Sequence, residues 1–201
     1  MKVIAITGSI GSGKTRALQW FREKGLQVIS ADEIGHDLLE RGEIIYRINQ
    51  SFGNRVVENG KVNRKKLGEI VFSDPEQLET LNQILHPLII AEIRERIKKS
   101  NADLLIFEVP LLFEAGIEDM FDLTINIAAR EDIRKRRLQK RDNLTEREIE
   151  NRFCNQLPDA VKREKADITV DNNEDEESFT ESLEGLYTRI FIELLDMKNI
   201  H

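Results

Sequence analysis

The chain has 201 residues, 40% of them hydrophobic and 33% charged, which suits one core with room for an inserted lobe and excludes a disordered chain. With 30 Lys and Arg against 37 Asp and Glu the formal charge is −7, which argues against a general nucleic-acid binder and leaves room only for a local basic site. Cys154 alone cannot build a disulfide framework or a multi-cysteine zinc site, and no apolar run reaches the roughly 20 residues of a membrane span. The opening Met1–Thr7 lacks a secretory cleavage pattern, so a soluble protein of the reducing cytoplasm is expected.

In chain order, Lys2–Thr7 reads as a buried strand, Lys14–Lys24 as a helix and Gln27–Ser30 as a second strand. Asp103–Glu108, Asp122–Ile127 and Asp167–Asp171 supply three more strands. Short apolar strands between helical patterns predict an α/β fold with a parallel sheet covered on both faces. The connection between the second and third strands is far longer than a simple crossover. It carries helical patterns at Asp32–Glu40, Glu43–Phe52, Arg64–Phe72, Pro75–Leu85 and Pro87–Lys99, with a turn at Asn59-Gly60. This segment is expected to be a helical insertion, with Pro87 opening its own helix. Further on, Arg130–Arg141 holds seven basic residues against two acids. Residues Asp171–Glu184 hold seven acids and no base, placed to open the last helix.

The sharpest motif is Gly8-Ser9-Ile10-Gly11-Ser12-Gly13-Lys14-Thr15, a full G-x-x-x-x-G-K-[ST] phosphate loop between strand and helix. Gly11, Ser12 and Gly13 can turn main-chain N–H groups toward one anion, beside the positive end of the following helix. Lys14 can bridge the outer phosphates of a nucleoside triphosphate, and Thr15 can place its hydroxyl on Mg²⁺. The bland alternative is a glycine turn with no ligand. A guanine-reading N-K-x-D is missing, which disfavours a GTPase switch.

Ligands of such sheets sit beyond the carboxyl ends of the strands. Asp32 lies just past the second strand, where it can either take a proton from an attacking hydroxyl or cap the next helix. Glu108 ends an apolar strand as a Walker-B acid does, to hold Mg²⁺ or its water, or it forms a terminal salt bridge. Arg137 and Arg141 are four apart on one helix face of the basic stretch. They are either a lid that neutralises phosphoryl charge or a solvated surface. That stretch has no aromatic interleaving for nucleic-acid stacking. His86, before Pro87, reads first as a helix-start hydrogen bond. Cys154 reads as a packed thiol, Trp20 and Phe21 as packing on the sheet, and His36 and His201 belong to no constellation.

The phosphate loop, Asp32 in Ala-Asp-Glu-Ile, Asn63-Arg64, His86-Pro87, Val109-Pro110-Leu111-Leu112-Phe113-Glu114, Arg137-Leu138-x-x-Arg141, Arg152 to Gln156 and Ala166-Asp167 occur in this order. From about residue 2 to residue 173 the chain resembles the dephospho-CoA kinases. The resemblance implies a P-loop NTPase-type parallel five-stranded sheet with helices on both faces, formed by residues 1–30 and 101–201 with a lid at about 130–156. Residues 31–100 would be a helical insertion that binds the CoA-type substrate.

The implied reaction moves the γ-phosphate of ATP, with Mg²⁺, to the ribose 3′-hydroxyl of dephospho-CoA, the last step of coenzyme A synthesis. Another P-loop small-molecule or nucleoside monophosphate kinase is the alternative. By matching position, Asp32 would be base or hydroxyl-orienting group, Lys14 and Thr15 would serve phosphates and metal, and Arg141 with Arg137 would act from the lid. Asn63, Arg64, His86, Pro110, Leu111 and Leu112 would shape the acceptor site. Asn172 would lie near the adenine of ATP. The chain departs from the usual pattern at Ser30 and Glu108, where Asp is common, at Arg134 for Gln and at Glu174 for Gly. No nucleic-acid or membrane partner is expected, and monomer and weak homo-oligomer both stay open.

Overall fold

The computed structural model describes residues 1–142 and 144–198. Strand β1 (Lys2–Thr7) enters the glycine loop and helix α1 (Lys14–Glu23) leaves it. Then come β2 (Gln27–Ser30), α2 (Ala31–Leu39) and α3 (Gly42–Phe52). A short hairpin, β3 (Val57–Glu58) and β4 (Lys61–Val62), precedes α4 (Arg64–Val71) and α5 (Pro75–Lys99). The chain continues with β5 (Leu104–Glu108), β6 (Leu123–Ala128), α6 (Glu131–Asp142) and α7 (Glu146–Cys154). It ends with α8 (Asp159–Lys165), β7 (Ile168–Asp171) and α9 (Glu176–Lys198). His201 lies outside the described residues.

Five strands form one parallel sheet in the order β2-β5-β1-β6-β7. Side chains of a strand alternate between faces, and here both faces are apolar. Val3, Ala5, Leu105 and Phe107 face one core, built with α2 to α5; Ile4, Ile6, Leu104 and Ile106 face the other, built with α1 and α9. Phe21 is buried in the second core and Trp20 packs at its edge, as the sequence predicts. Asp175 opens α9 by accepting the Ser178 N–H at 2.9 Å, so the acidic block does start the last helix.

Three predicted strands begin one residue late. Asp122 and Asp167 stand just outside β6 and β7, where their carboxylates accept the N–H groups of Val3 (2.6 Å) and Thr124 (2.7 Å). A carboxylate that satisfies a strand-edge donor stabilises the sheet margin without joining the ladder.

The insertion differs from the expectation in two respects. It is not wholly helical, because Asn59 (φ 51°) and Gly60 (φ 73°) form a two-residue turn that closes β3 on β4. And α5 does not break at Pro87; one helix runs from Pro75 to Lys99 with the proline inside it. Pro87 removes one helical N–H donor, a cost of about 3 kcal/mol or more. Tertiary packing offsets it: Ile84, Leu85 and Ile93 are buried on both sides of the proline, and α5 packs against α2, α3 and α4. Cys154 is also not packed; it is exposed at the end of α7.

Candidate active site

The loop after β1 depends on glycine. Gly11 and Gly13 hold φ of 79° and 103°, and a Cβ on Gly13 would collide with the Asn172 side-chain amide. Gly13 is the N-cap of α1, so the amide end of that helix opens on the loop. Lys14 folds back over it, its Nζ donating to the carbonyls of Gly8 (2.7 Å) and Ser9 (3.3 Å).

Desolvation pulls the Lys14 pKa from 10.5 to about 8; Glu108 and Asp32 oppose the fall, and Lys162 and Arg134 add to it. The amine is therefore charged below that pH and neutral above it. A polyphosphate beside Nζ favours the charged form. Anion binding at a pH near 8 is expected to take up about half a proton and more at higher pH, where affinity should decline. Calorimetry in two buffers of different ionisation enthalpy reads the uptake; identical heats would refute this role for Lys14.

The loop is also braced by side chains from distant segments. Arg137 of α6 donates to the carbonyls of Ser12 (3.3 Å) and Gly11 (3.4 Å) and to Asn172 Oδ1 (3.2 Å), while Asn172 Nδ2 donates to Ser12 O at 2.8 Å. Asn172, expected beside the adenine, is thus buried beneath the loop, with its amide engaged there. Gln156 was not singled out as a site residue from the sequence. Its Oε1 accepts the Ile10 N–H at 2.8 Å and pins the loop tip.

In front of the loop is a cleft of about 830 Å³, lined by Gly11, Gly13, Lys14 and Thr15 on one side. Asp32 and Glu108 also line it, as do Arg137, Lys140 and Arg141 of α6 and Arg152 of α7. Ser30 holds the N-cap position of α2 and Asp32 sits in the first turn, so the capping alternative for Asp32 does not hold. Asp32 also lines a groove of about 350 Å³ and a recess of about 70 Å³. It is exposed to this shared space, yet the enclosing walls desolvate it. That desolvation raises its pKa, against the pull of Lys14 and His36.

Glu108 is half-buried and is not in a salt bridge among the described residues; it accepts a hydrogen bond from Ser30 Oγ at 2.8 Å. The two are register partners across β2 and β5. Desolvation is also the main cause of its raised pKa, followed by the opposing Ser30 hydroxyl and Lys14. Serine at position 30 gives the longer Glu108 a donor, where a second acid would repel it.

Pro110 and Leu111, just past β5, line the cleft and the recess. Leu112 does not join them; it is wholly buried in the core, and its side chain cannot reach a substrate. Lys162, fully buried on α8, ties this loop down. Its Nζ is 2.7 Å from Glu114 Oε1 and 3.1 Å from the Pro110 carbonyl. Glu114 also accepts the Leu157 N–H at 2.9 Å.

In the insertion, Arg64 and His86 line the 350 Å³ groove. Desolvation lowers the His86 pKa, opposed by Glu79. Asn63 is not brought to the cleft. It caps α4 through the Lys66 N–H (3.1 Å) and donates to Glu58 (2.7 Å).

Among the described residues no cluster of three or more His, Cys, Asp or Glu could hold a metal by itself. Thr15 and Glu108 nonetheless put a hydroxyl and a carboxylate on the same cleft. That sparse oxygen set fits Mg²⁺, which takes one or two protein ligands and completes its shell with phosphates and water. Among the described residues no helix is long and apolar enough to cross a membrane.

Comparison with known proteins agrees with this fold. The family model described as dephospho-CoA kinase matches residues 2–177. A dephospho-CoA kinase of Fusobacterium nucleatum is 36% identical over 183 residues, covering 90% of this chain and 95% of the relative. The crystal structure of TT1252 from Thermus thermophilus superposes with a TM-score of 0.81 at 32% identity, covering 96% of this chain and 97% of that one. A Campylobacter jejuni dephospho-CoA kinase superposes with a TM-score of 0.69 at 28% identity over 94% of this chain and 96% of its own. This chain belongs to the dephospho-CoA kinase family.

Proposed function

We propose that the chain transfers the γ-phosphoryl group of ATP to the ribose 3′-hydroxyl of dephospho-CoA, with Asp32 as the base. The observation that carries the reading is the single cleft shared by the phosphate loop, Asp32 and the arginine-bearing helices. ATP would lay its phosphates along Gly11–Thr15, with Lys14 on the outer oxygens. The acceptor would enter from the insertion, residues 31–100, between Arg64, His86, Pro110 and Leu111. The O3′–phosphorus bond forms as the bond from phosphorus to the bridging oxygen breaks; the hydroxyl proton goes to Asp32 and ADP leaves.

Phosphoryl transfer needs placement and charge neutralisation more than covalent chemistry from the protein. Lys14 supplies one positive charge. Arg141 supplies another from the cleft wall, where Asp142 holds its guanidinium at 2.7 Å. Arg137, which lines the same cleft while bracing the loop, would act beside Arg141. Mg²⁺, when bound, shields the phosphate oxygens, and Thr15 and Glu108 are the residues to hold it. Residues about 130–156 would be the lid that excludes water. The setting that fits this chemistry is the cytoplasm.

A coupled assay with ATP and dephospho-CoA, against acceptor-free controls and a panel of nucleoside monophosphates, tests the reading. ADP release that depends on dephospho-CoA is expected. Equal release with a nucleoside monophosphate would favour the alternative kinase.

A further inference from the structure

Phe72 is an unusual surface residue. Its side chain ends α4 and stays 50% exposed, one of few large apolar groups so placed among the described residues. It is exposed into the active cleft: Phe72 lines both the 830 Å³ cleft and the 350 Å³ groove, and so does Asp32. Arg152 of α7 lines the same cleft, with its guanidinium carbon 5.8 Å from the centre of the Phe72 ring. Leu78 and Leu111 continue the apolar wall.

We propose that Phe72 and Arg152 clamp the purine base of the acceptor. The proposal rests on the reading of the cleft as a dephospho-CoA kinase site. In that acceptor the reacting hydroxyl and the base are carried by one ribose. With the hydroxyl at Asp32, the base lies one sugar away, within the same cavity. An aromatic ring offers a stacking face, and a guanidinium offers a cationic plane to the opposite π surface. The pair joins α4 and α7, and at 5.8 Å it stands closer than the roughly 7 Å that two stacked contacts need, so a base entering between them would part the guanidinium from the ring and take up both faces.

The test compares Phe72→Ala, Phe72→Leu and Phe72→Tyr with wild type, on dephospho-CoA and on an analogue with hydrogen in place of the base. Loss of one base–aromatic stack raises KM for dephospho-CoA by about 5- to 150-fold. Phe72→Tyr should stay close to wild type. Phe72→Leu keeps the apolar contact of the side chain with α4 but lacks the ring, so it should behave like alanine and covers the case in which alanine misfolds. KM for ATP should not move. On the base-less analogue wild type should already be impaired, and Phe72→Ala should add little.

Equal loss on both acceptors would overturn the clamp. So would a rise in KM for ATP alone, which would assign the ring to the donor base. A wild-type enzyme inactive on dephospho-CoA would instead sink the reading of the cleft itself. Arg152→Gln should raise KM for dephospho-CoA in wild type and have little effect in the Phe72→Ala background.

Discussion

Asp32→Asn is expected to lower kcat at least about 100-fold while KM for ATP stays near the wild-type value. The amide has the shape of the carboxylate and can still orient a hydroxyl, but it cannot accept the proton. A base and a merely orienting group therefore separate cleanly in this variant. The raised pKa of Asp32 favours the role of base, since a more basic carboxylate takes a hydroxyl proton more readily. It also sets the sign of the pH dependence: wild-type kcat should rise with pH through that raised pKa, as the carboxylate ionises. Asp32→Asn should lack that limb. Because the Asp32 charge supports the ammonium of Lys14, the same variant should move proton uptake on nucleotide binding to lower pH. Steady-state kinetics across pH, with calorimetry, reads both effects. A loss under tenfold would leave Asp32 an orienting group only.

The part of the site that the sequence reveals is the part made by contiguous residues. The phosphate loop shows itself because one short run must curl, start a helix and carry its own lysine. Asp32 and Glu108 are legible because strand ends in a parallel sheet point the same way, so their positions follow from the strands alone. Contacts between distant segments leave no such trace. Gln156 reaches Ile10 across 146 positions, and Lys162 reaches Pro110 across 52. No local period marks either one. Leu112 fails for a related reason: a motif of six residues gives order, but only the turn after β5 decides which side chains face the cleft and which enter the core. Pro87 misleads because a local rule about helix starts met a helix whose flanks are held by burial, and burial prevailed.

Lys162→Met should then be the most destabilising single change near the site. Lys162 is wholly buried, while Glu114 is 16% exposed and has its second oxygen without a partner. Removing the ammonium leaves that carboxylate uncompensated, which typically costs 3–5 kcal/mol where a buried pair is broken, so about 3–5 kcal/mol is expected here. In a chain of this size that lowers Tm by roughly 6–20 °C. Adding Glu114→Gln should return part of the loss, because the uncompensated charge goes; no recovery would mean that packing around the lysine stem, not charge, sets the cost. A second consequence is independent of stability. The charge of Lys162 helps to hold the Lys14 pKa down, so its loss should raise that pKa. Proton uptake on nucleotide binding should then have its midpoint above the pH of about 8 that belongs to the wild type. Lys162→Arg keeps the charge and should leave the midpoint near the wild-type value. A methionine variant with unchanged midpoint would confine Lys162 to holding the acceptor loop, through Glu114 and the Pro110 carbonyl, and remove it from the electrostatics of the donor site.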